Sequence, residues 1–280
     1  MDMIPVTLTI AGSDSGGGAG IQADIKTFQE LGTFGTSILT AVTAQNTLGV
    51  HAVQPIECNI VTAQLDAVLS DFPVGAAKTG MLFSAGIIKA VAETLHHYPS
   101  FPLVIDPVMI AKGGTSLLHQ SAIDALKECL LPSAAVLTPN IPEAEALTGM
   151  SIHTLSDMER AANRLLECGT HAIVVKGGHR KVTDFAEDLF ISRDGERFLL
   201  RTKRIDTKDT HGTGCTFAAA ITAELAKGRS ISEAVIAAKY FIQAAIEDGI
   251  SLGNGHGPTN HAAIRLRGDE SRGVELIERP

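Results

Sequence analysis

One short run, residues 210–216 (THGTGCT), combines the groups needed to bind an anion and to act on it. Gly212 and Gly214 let the backbone turn tightly and bring several N–H groups close to a ligand. An alanine-rich helical pattern follows, and the free N–H groups at a helix start favour a bound anion. Cys215 lies in the first turn of this predicted helix, where the same field favours its thiolate. The run predicts chemistry on a phosphate, with Cys215 as a potential base or nucleophile.

The residues of this run also have plainer interpretations. Cysteine is usually a small core residue, and the helix face of Cys215 includes Ala218, Ala219 and Thr222, which suits burial. The position of Cys215 directly after Gly-Thr-Gly at the helix start favours a function. His211 is either a ligand contact or an ordinary loop residue.

A carboxylate stands on the apolar face of the first predicted helix. Helical spacing places Asp24 beside Ile21, Ile25 and Phe28, the side chains expected to meet the sheet. A carboxylate among apolar side chains needs a partner. Two partners are equally plausible: the glycine-rich loop before the helix, or a polar ligand.

Further charged residues follow later strands. Glu143 comes three residues after Asn140, so the two could form a capping box at a helix start. Alternatively, Glu143 reaches Mg²⁺ directly or through water, joined by Asp106, because hard cations prefer oxygen ligands. Lys176 ends a strand and either neutralises a phosphate or is a solvated lysine.

The elements that must position these residues alternate between strands and helices, which predicts a largely parallel sheet with helices on both faces. Ligands of such sheets bind outside the carboxyl ends of the strands, so polar residues from six loops should converge on one edge. Strands are predicted at 6–11, 36–43, 50–56, 75–79, 103–106, 134–138 and 172–176, with a hairpin at 184–191 and 197–202. Helices are predicted at 19–31, 59–70, 84–97, 120–130, 142–147, 155–167, 214–227 and 232–247.

Length and composition limit the remaining possibilities. The 280 residues predict one domain over 1–264 and a loose polar tail over 265–280. A formal net charge of −8 argues against a nucleic-acid or anionic-membrane binder. The four cysteines form no CxxC pair, so neither a zinc site nor a disulfide framework is indicated, and we predict a reduced, cytoplasmic setting. No apolar run reaches the ~18 residues of a membrane span.

Two phosphate-binding fingerprints match poorly. Residues 18–23 (GAGIQA) fit a loose dinucleotide motif, but the acid expected about 20 residues later is replaced by Ala44, Gln45 and Asn46. The loop 12–18 lacks the Lys-Ser/Thr ending of a Walker loop. A nicotinamide-dependent oxidoreductase is therefore disfavoured.

The chain as a whole resembles the ribokinase-like kinases. Within them it is similar to the hydroxymethylpyrimidine kinase and phosphomethylpyrimidine kinase branch of thiamine biosynthesis. The matching stretches run in order over nearly the whole chain: residues 11–24 (AGSDSGGGAGIQAD), 43–47 (TAQNT), 78–81 (KTGM), 105–109 (IDPVM), 137–144 (LTPNIPEA), 175–179 (VKGGH), 210–216 and 257–259 (GPT).

The resemblance implies a three-layer α/β/α fold with a mostly parallel central sheet, and ATP-Mg²⁺ as the phosphoryl donor. It implies phosphorylation first of a pyrimidine CH₂OH group and then of the resulting monophosphate. It also implies roles for particular residues: a pyrimidine pocket of Gly12, Asp24, Gln45, Met81 and Val108; ATP contacts from Lys176, His211, Gly212 and Gly214; metal contacts from Asp106 and Glu143; and an anion hole of Gly212, Thr213 and Gly214 beside Cys215, which replaces the aspartate base of many relatives.

Two alternatives remain beside this interpretation. A vitamin B6 kinase would take pyridoxine, another planar ring with a CH₂OH arm, although Asp24 and Gln45 favour an aminopyrimidine. A non-catalytic ligand-binding protein on the same fold is disfavoured by the Gly-Thr-Gly-Cys run and the acidic metal residues. The resemblance further implies a homodimer.

Overall fold

A ten-stranded sheet forms the middle layer of the protein, and several of the predicted site residues lie at or just beyond the ends of its strands. The computed structural model describes residues 3–109, 120–178, 184–267 and 273–278. Across the sheet the strands lie in the order β10-β9-β8-β7-β6-β5-β4-β1-β2-β3. Their bounds are β1 Val6–Asp14, β2 Phe34–Asn46, β3 Gly49–Pro55, β4 Val74–Thr79, β5 Leu103–Ile105, β6 Val136–Leu137, β7 Ala172–Lys176, β8 Phe185–Ser192, β9 Arg197–Lys203 and β10 Val274–Glu278.

The strands from β7 to β2 are parallel to one another, while β3 at one edge and β8, β9 and β10 at the other pair antiparallel. The chain passes from β1 to β2 on one side and later returns to β4 on the other. Such a reversal opens a crevice at the carboxyl ends of an open parallel sheet. The fold therefore provides a ligand crevice beyond the ends of β1 and β4.

Helices cover both faces of the sheet. One layer holds α2 to α6 and the other holds α1, α7 and α8. Among the described residues, no helix has the length and apolarity to cross a bilayer. The helices are α1 Gly20–Glu30, α2 Cys58–Leu69, α3 Ala85–His96, α4 Gln120–Ala125, α5 Ile141–Thr148, α6 Leu155–Leu166, α7 Thr213–Ala226, α8 Ile231–Glu247 and α9 Ala263–Arg267.

Alternate residues of the central strands face the two layers. Val104 and Val136 pack with the α7 and α8 cluster, whereas their neighbours Ile105 and Leu137 pack with the α2 to α6 cluster. All four side chains are fully buried. Strands buried on both faces read as continuous apolar runs, which is why these short segments are recognisable in the sequence.

Small residues bring α1 close to α7. Phe28 of α1 packs on Ala219 and Ala223 of α7, and all three are fully buried. As a result, the loop before α1 lies directly against the start of α7. A Cβ added at Gly212 would collide with the carbonyl oxygen of Gly18, which shows how close the two backbones are. The small alanine side chains of α7 thus allow the glycine-rich loop before α1 to contact the turn before α7.

Among the described residues, the structure differs from the sequence prediction most clearly in α4 and at the C-terminal end. The helix predicted over 120–130 is α-helical only as far as Ala125, and Leu126–Leu130 continue as a π-helical turn. At the C-terminus, β10 pairs with β9, so residues 274–278 of the predicted loose tail lie in the sheet. Arg265 of α9 also forms an ion pair with Glu30 at 2.9 Å.

Candidate active site

Two adjoining cavities open beyond the carboxyl ends of the parallel strands. The first, about 390 Å³, reaches from the end of β1 to the start of α7. The second, about 340 Å³, lies between the end of β7, the β8–β9 edge and α8. The walls that they share include the start of α7, so a group held there can be reached from both sides. The shared residues are Asn140, Lys176, Thr210, Thr213 and Gly214.

The start of α7 has the geometry of an anion cradle. Gly212 is the N-cap and has a left-handed backbone with φ of 81°, a conformation that favours glycine. Thr213 begins the helix, so the first N–H groups have no intrahelical acceptor. A Cβ at Gly214 would lie 3.3 Å from Nζ of Lys176 and 3.4 Å from Oδ2 of Asp106. The bare backbone of Gly214 therefore leaves space beside a cation and a carboxylate.

The predicted cysteine lines the first cavity, but its expected charge is wrong. Burial raises the pKa of the Cys215 thiol to about 12, and the nearby Lys78 ammonium opposes this only in part. Desolvation is therefore the largest influence on this thiol, and it acts against the thiolate that the helix start was expected to favour. In the ligand-free protein Cys215 is a neutral thiol near pH 7.

Asp106, Glu143 and Lys176 form one charged cluster in the first cavity. Nζ of Lys176 lies 2.9 Å from Oδ1 of Asp106. Burial lowers the pKa of Lys176, but the carboxylates of Asp106 and Glu143 outweigh it, so the net pKa is raised and the ammonium stays charged. The structure thus brings together the residues predicted for metal and for phosphate.

The capping box predicted for Asn140 and Glu143 is confirmed. The Asn140 side chain accepts from the Glu143 N–H at 2.9 Å, and Glu143 accepts from the Asn140 N–H at 2.8 Å. Glu143 also lines the cavity, so capping does not remove it from the site. Burial raises the pKa of Glu143 to about 7; Lys176 opposes this, while Asp106 adds to it.

We expect Glu143→Gln to stabilise the ligand-free protein more at pH 8 than at pH 5. Between about pH 4.5 and 7 the folded protein binds this proton more tightly than the unfolded chain, so the free energy of unfolding falls as the pH rises. The shift corresponds to at most about 3 kcal/mol, present in full above pH 7. Urea denaturation at both pH values measures the difference. The exposed Glu93 provides the control Glu93→Gln, and equal effects of Glu143→Gln at both pH values would contradict the prediction.

Asp24 does not line either cavity. It is fully buried, where it forms an ion pair with Lys78 at 2.9 Å and accepts a hydrogen bond from Thr9 at 2.6 Å. The apolar helix face does require a partner for this carboxylate, but that partner is a lysine of β4. Neither the glycine-rich loop nor an open ligand pocket contacts Asp24 in this structure.

His211 connects the glycine-rich loop to Gln45 in the wall of the first cavity. Its Nε2 lies 2.8 Å from Oδ2 of Asp14 and 3.2 Å from the amide of Gln45. Because a carboxylate only accepts, Nε2 donates to Asp14. The carbonyl oxygen of Gln45 faces Thr43, whose hydroxyl donates to it at 3.3 Å. His211 lines the first cavity and not the second.

Asp14 is the acceptor for this loop. Besides His211, it accepts from the N–H groups of Gly16, Gly18 and Ala19 at 2.8 to 3.1 Å. Burial raises the pKa of Asp14, but these hydrogen bonds outweigh it and the net pKa is lowered. The anionic Asp14 therefore fixes both the glycine-rich loop and the ring of His211.

The other predicted ring contacts surround one part of the first cavity. Gly12, Gln45, Met81 and Val108 all line it. A Cβ at Gly12 would collide with Cε of Met81, so the end of the methionine side chain lies directly against the bare backbone of this glycine. The structure brings these four residues together without Asp24. His179, the last residue of the matching stretch 175–179, lies outside the described residues.

The second cavity contains residues that the sequence analysis did not select. Asp188 of β8 and Lys239 of α8 line it and form a buried ion pair at 2.6 Å. The sequence did contain an indication of this pair: Lys239 lies among Val235, Ala238 and Ile242 on the buried face of α8. A lone charge on an apolar face indicates a partner or a ligand.

Metal binding at this site would depend on a ligand. Within the described ranges, no group of three or more histidine, cysteine or acidic side chains is arranged to hold a metal ion. Two carboxylates, Asp106 and Glu143, nevertheless face the first cavity. Mg²⁺ is commonly bound by one or two carboxylates together with substrate phosphates, so the donor set fits that ion.

Known proteins are similar to this chain in sequence. A family model described as phosphomethylpyrimidine kinase matches residues 14–260. A hydroxymethylpyrimidine/phosphomethylpyrimidine kinase of Bacillus subtilis is 53% identical over 92% of this chain and 95% of its own length. The corresponding protein of Haemophilus influenzae is 53% identical over 94% of this chain and 98% of its own length.

A solved structure shows that the fold is also shared. The pyridoxal kinase of Staphylococcus aureus in complex with AMP-PCP and pyridoxal superposes with a TM-score of 0.90 and 38% identity, covering 99% of this chain and 100% of that chain. This confirms the predicted ribokinase-like α/β/α fold with its mostly parallel sheet. On the matched residues, the sequence identity and the shared fold, the chain belongs to the phosphomethylpyrimidine kinase family and is a phosphotransferase.

Proposed function

We propose that this kinase transfers the terminal phosphate of ATP to 4-amino-5-hydroxymethyl-2-methylpyrimidine, and then to the resulting monophosphate. The observation that carries the proposal is the meeting of the two cavities at the start of α7. The pyrimidine occupies the part of the first cavity lined by Gly12, Gln45, Met81 and Val108. The nucleotide occupies the second cavity, and its terminal phosphate lies at the shared wall.

The residues at the shared wall act by positioning and charge. The transition state of phosphoryl transfer is loose and has little covalent chemistry for side chains to perform, so orientation and electrostatic stabilisation dominate. The N–H groups at 212–215 hold the transferring phosphate, and Lys176 neutralises it. Asp106 and Glu143 would hold Mg²⁺, which when bound supplies charge to the phosphates.

Ligand binding changes the partners of this cluster. In the free protein Lys176 is paired with Asp106 at 2.9 Å. An arriving phosphate competes for the ammonium, and a cation bound by Asp106 and Glu143 compensates the carboxylates. A cation would also favour the ionised form of Glu143, whose pKa is otherwise raised to about 7. Phosphate and metal are therefore expected to bind with positive coupling.

One site can serve both phosphorylation steps. In the first step the CH₂OH oxygen attacks the terminal phosphorus of ATP; in the second, a phosphate oxygen of the monophosphate does so. The first cavity, about 390 Å³, continues from the ring contacts to the start of α7, which leaves room for the additional phosphate. The second step needs no separate site.

A substrate panel tests the proposal. Purified protein is incubated with ATP and Mg²⁺ and with the hydroxymethylpyrimidine, its monophosphate, pyridoxine or pyridoxal, and phosphorylated products are measured by chromatography. We expect both mono- and diphosphate from the pyrimidine series. Absence of diphosphate from purified monophosphate would restrict the enzyme to one step, and absence of any pyrimidine product would refute the proposal.

A vitamin B6 kinase is the second candidate, favoured by the 0.90 TM-score to a structure that contains pyridoxal. Both rings are planar and carry a CH₂OH arm. Relatives 53% identical bear the pyrimidine kinase name, which supports the aminopyrimidine as the preferred substrate. The ratio of kcat/KM for hydroxymethylpyrimidine and pyridoxal decides between the two.

We expect Cys215→Ala to lower kcat about tenfold and to leave the dissociation constant of ADP nearly unchanged. A general base typically contributes ~10²–10⁴-fold, but a thiol with its pKa raised to about 12 is mostly protonated at pH 7. A coupled assay for ADP release gives kcat, and calorimetry gives the ADP affinity. An unchanged kcat would remove Cys215 from catalysis.

The proposal includes a cytoplasmic homodimer. Three apolar side chains near the β3 edge are exposed, Val42 by 44%, Leu48 by 66% and Ile60 by 51%. Apolar side chains grouped on a surface often mark an interface. Light scattering coupled to size exclusion measures the mass in solution, and a single-chain mass of 29.4 kDa would contradict a dimer.

A further inference from the structure

A buried ion pair supports the turn that follows Lys176. Asp188 of β8 uses both carboxylate oxygens: Oδ1 accepts from the Gly177 N–H at 2.9 Å, and Oδ2 accepts from Nζ of Lys239 at 2.6 Å. Asp188 and Lys239 are 7% and 5% exposed. The pair thus connects α8, the β8–β9 hairpin and the backbone directly after Lys176.

The turn itself has little freedom on its other sides. A Cβ at Gly177 would collide with the carbonyl oxygen of Glu187, so this glycine lies directly against β8. Arg204 donates to the carbonyl oxygen of Gly178 at 2.7 Å. With Asp188 holding the N–H of Gly177, the backbone of residues 176–178 is fixed from β8 and from Arg204 together.

We propose that Asp188 and Lys239 are positioning residues for Lys176, fixing the turn 176–178 so that the ammonium points at the wall shared by the two cavities. The inference rests on the proposed role of Lys176 as the phosphate contact. Lys239 is needed because, without its cation, the buried carboxylate of Asp188 would either become protonated or move away from its present position. The pair acts through Lys176, on nucleotide binding and not on the pyrimidine.

Isosteric changes separate this role from general stability. Asp188→Asn keeps the shape, but an amide accepts at only one of its two positions, so one of the two contacts is lost. Lys239→Met removes the cation and keeps the side-chain length. We expect each variant to lower kcat/KM for ATP about 10- to 100-fold, as small misplacements of a catalytic group do. The KM for the pyrimidine should stay within about twofold of wild type.

The control is a second ion pair on the β8–β9 hairpin, and it lines neither cavity. Glu187 and Arg201 are paired at 2.8 Å between β8 and β9. Glu187→Gln and Arg201→Met should lower the melting temperature without changing the kinetics with ATP. A loss of ATP kinetics in these variants as large as in Asp188→Asn would overturn the proposal.

A double-mutant cycle with Lys176→Met supplies the decisive measurement. If Asp188 and Lys239 act through Lys176, then adding Asp188→Asn or Lys239→Met to Lys176→Met weakens binding of the non-hydrolysable ATP analogue AMP-PCP, measured by calorimetry, no further. Losses that multiply in the double variants would show direct contact with the nucleotide and overturn the positioning role. Should Lys239→Met not fold, the isosteric Asp188→Asn decides alone. The titration with AMP-PCP is carried out without an alcohol substrate, so this test stands even if the wild type phosphorylates a different alcohol.

Discussion

Replacing Gly214 by valine should reduce kcat by at least ~10²–10³-fold while the protein still binds the pyrimidine. A Cβ at this position lies 3.3 Å from Nζ of Lys176 and 3.4 Å from Oδ2 of Asp106. The two additional methyl groups of valine would fill the space in which the terminal phosphate meets these side chains. A coupled assay gives kcat, and calorimetry with the unphosphorylated pyrimidine gives its affinity.

The chain offers a matched control for this change. Gly86 is the second residue of α3, as Gly214 is of α7. A Cβ at Gly86 meets nothing closer than Sγ of Cys58 at 3.4 Å, and the site is exposed. Gly86→Val should therefore keep the wild-type kcat. Near-normal turnover of Gly214→Val would refute the cradle at residues 212–215, since valine cannot be accommodated there beside a bound phosphate.

The central fold could be predicted from the sequence because its strands are buried on both faces. Segments such as Ala172–Lys176 contain only apolar residues before a polar end, and they are bounded by glycine and proline. The last strand could not be found in this way. Val274–Glu278 is an edge strand whose side chains are half-buried or exposed, so it carries no apolar run, and its pairing depends on β9.

The geometry of the candidate site was predicted best where it depends on the backbone. The glycines at 212 and 214 are required by a left-handed turn and a close approach, and both requirements follow from the absence of a side chain. Side-chain partners distant in sequence were not predictable. Lys78 is 54 residues from Asp24, and nothing in the local pattern of either residue indicates that they pair.

The charge state of Cys215 shows the same limit. The field of a helix start can be inferred from sequence and lowers a thiol pKa. The desolvation that raises the pKa of Cys215 depends on how α1, α7 and the strand ends pack around it. Burial is a property of the assembled fold. The desolvation that dominates the pKa of Cys215 therefore could not be predicted from the sequence.

These comparisons indicate which variants should be most damaging. The proposed pyrimidine contacts are spread over several residues, so the loss of one leaves the others in place. The proposed phosphate contacts are concentrated at the start of α7 and at the neighbouring ammonium of Lys176 in the shared wall. Changes at this wall should therefore affect turnover more than changes at the ring contacts or at Cys215.

Lys176→Met should lower kcat/KM for ATP by ~10²–10³-fold, the range observed when one preorganised charge-stabilising group is removed. The raised pKa of Lys176 keeps its ammonium charged at every pH at which the enzyme is assayed. Without it, the carboxylates of Asp106 and Glu143 face the incoming phosphates uncompensated except by metal. The loss should therefore shrink as the Mg²⁺ concentration rises, which steady-state kinetics over a magnesium series can measure.

A lysine at the far end of α7 provides the comparison. Lys227 pairs with Glu224 at 2.7 Å and lines neither cavity, so Lys227→Met should leave the kinetics with ATP unchanged. Lys176→Arg should fail to restore turnover. A guanidinium is larger than an ammonium, and little space is left for it between Asp106 and the backbone of Gly214. If Lys176→Met retained wild-type kcat/KM at low magnesium, the cation at the shared wall would have no part in phosphate transfer, and the bare N–H groups of α7 would have to hold the phosphate alone.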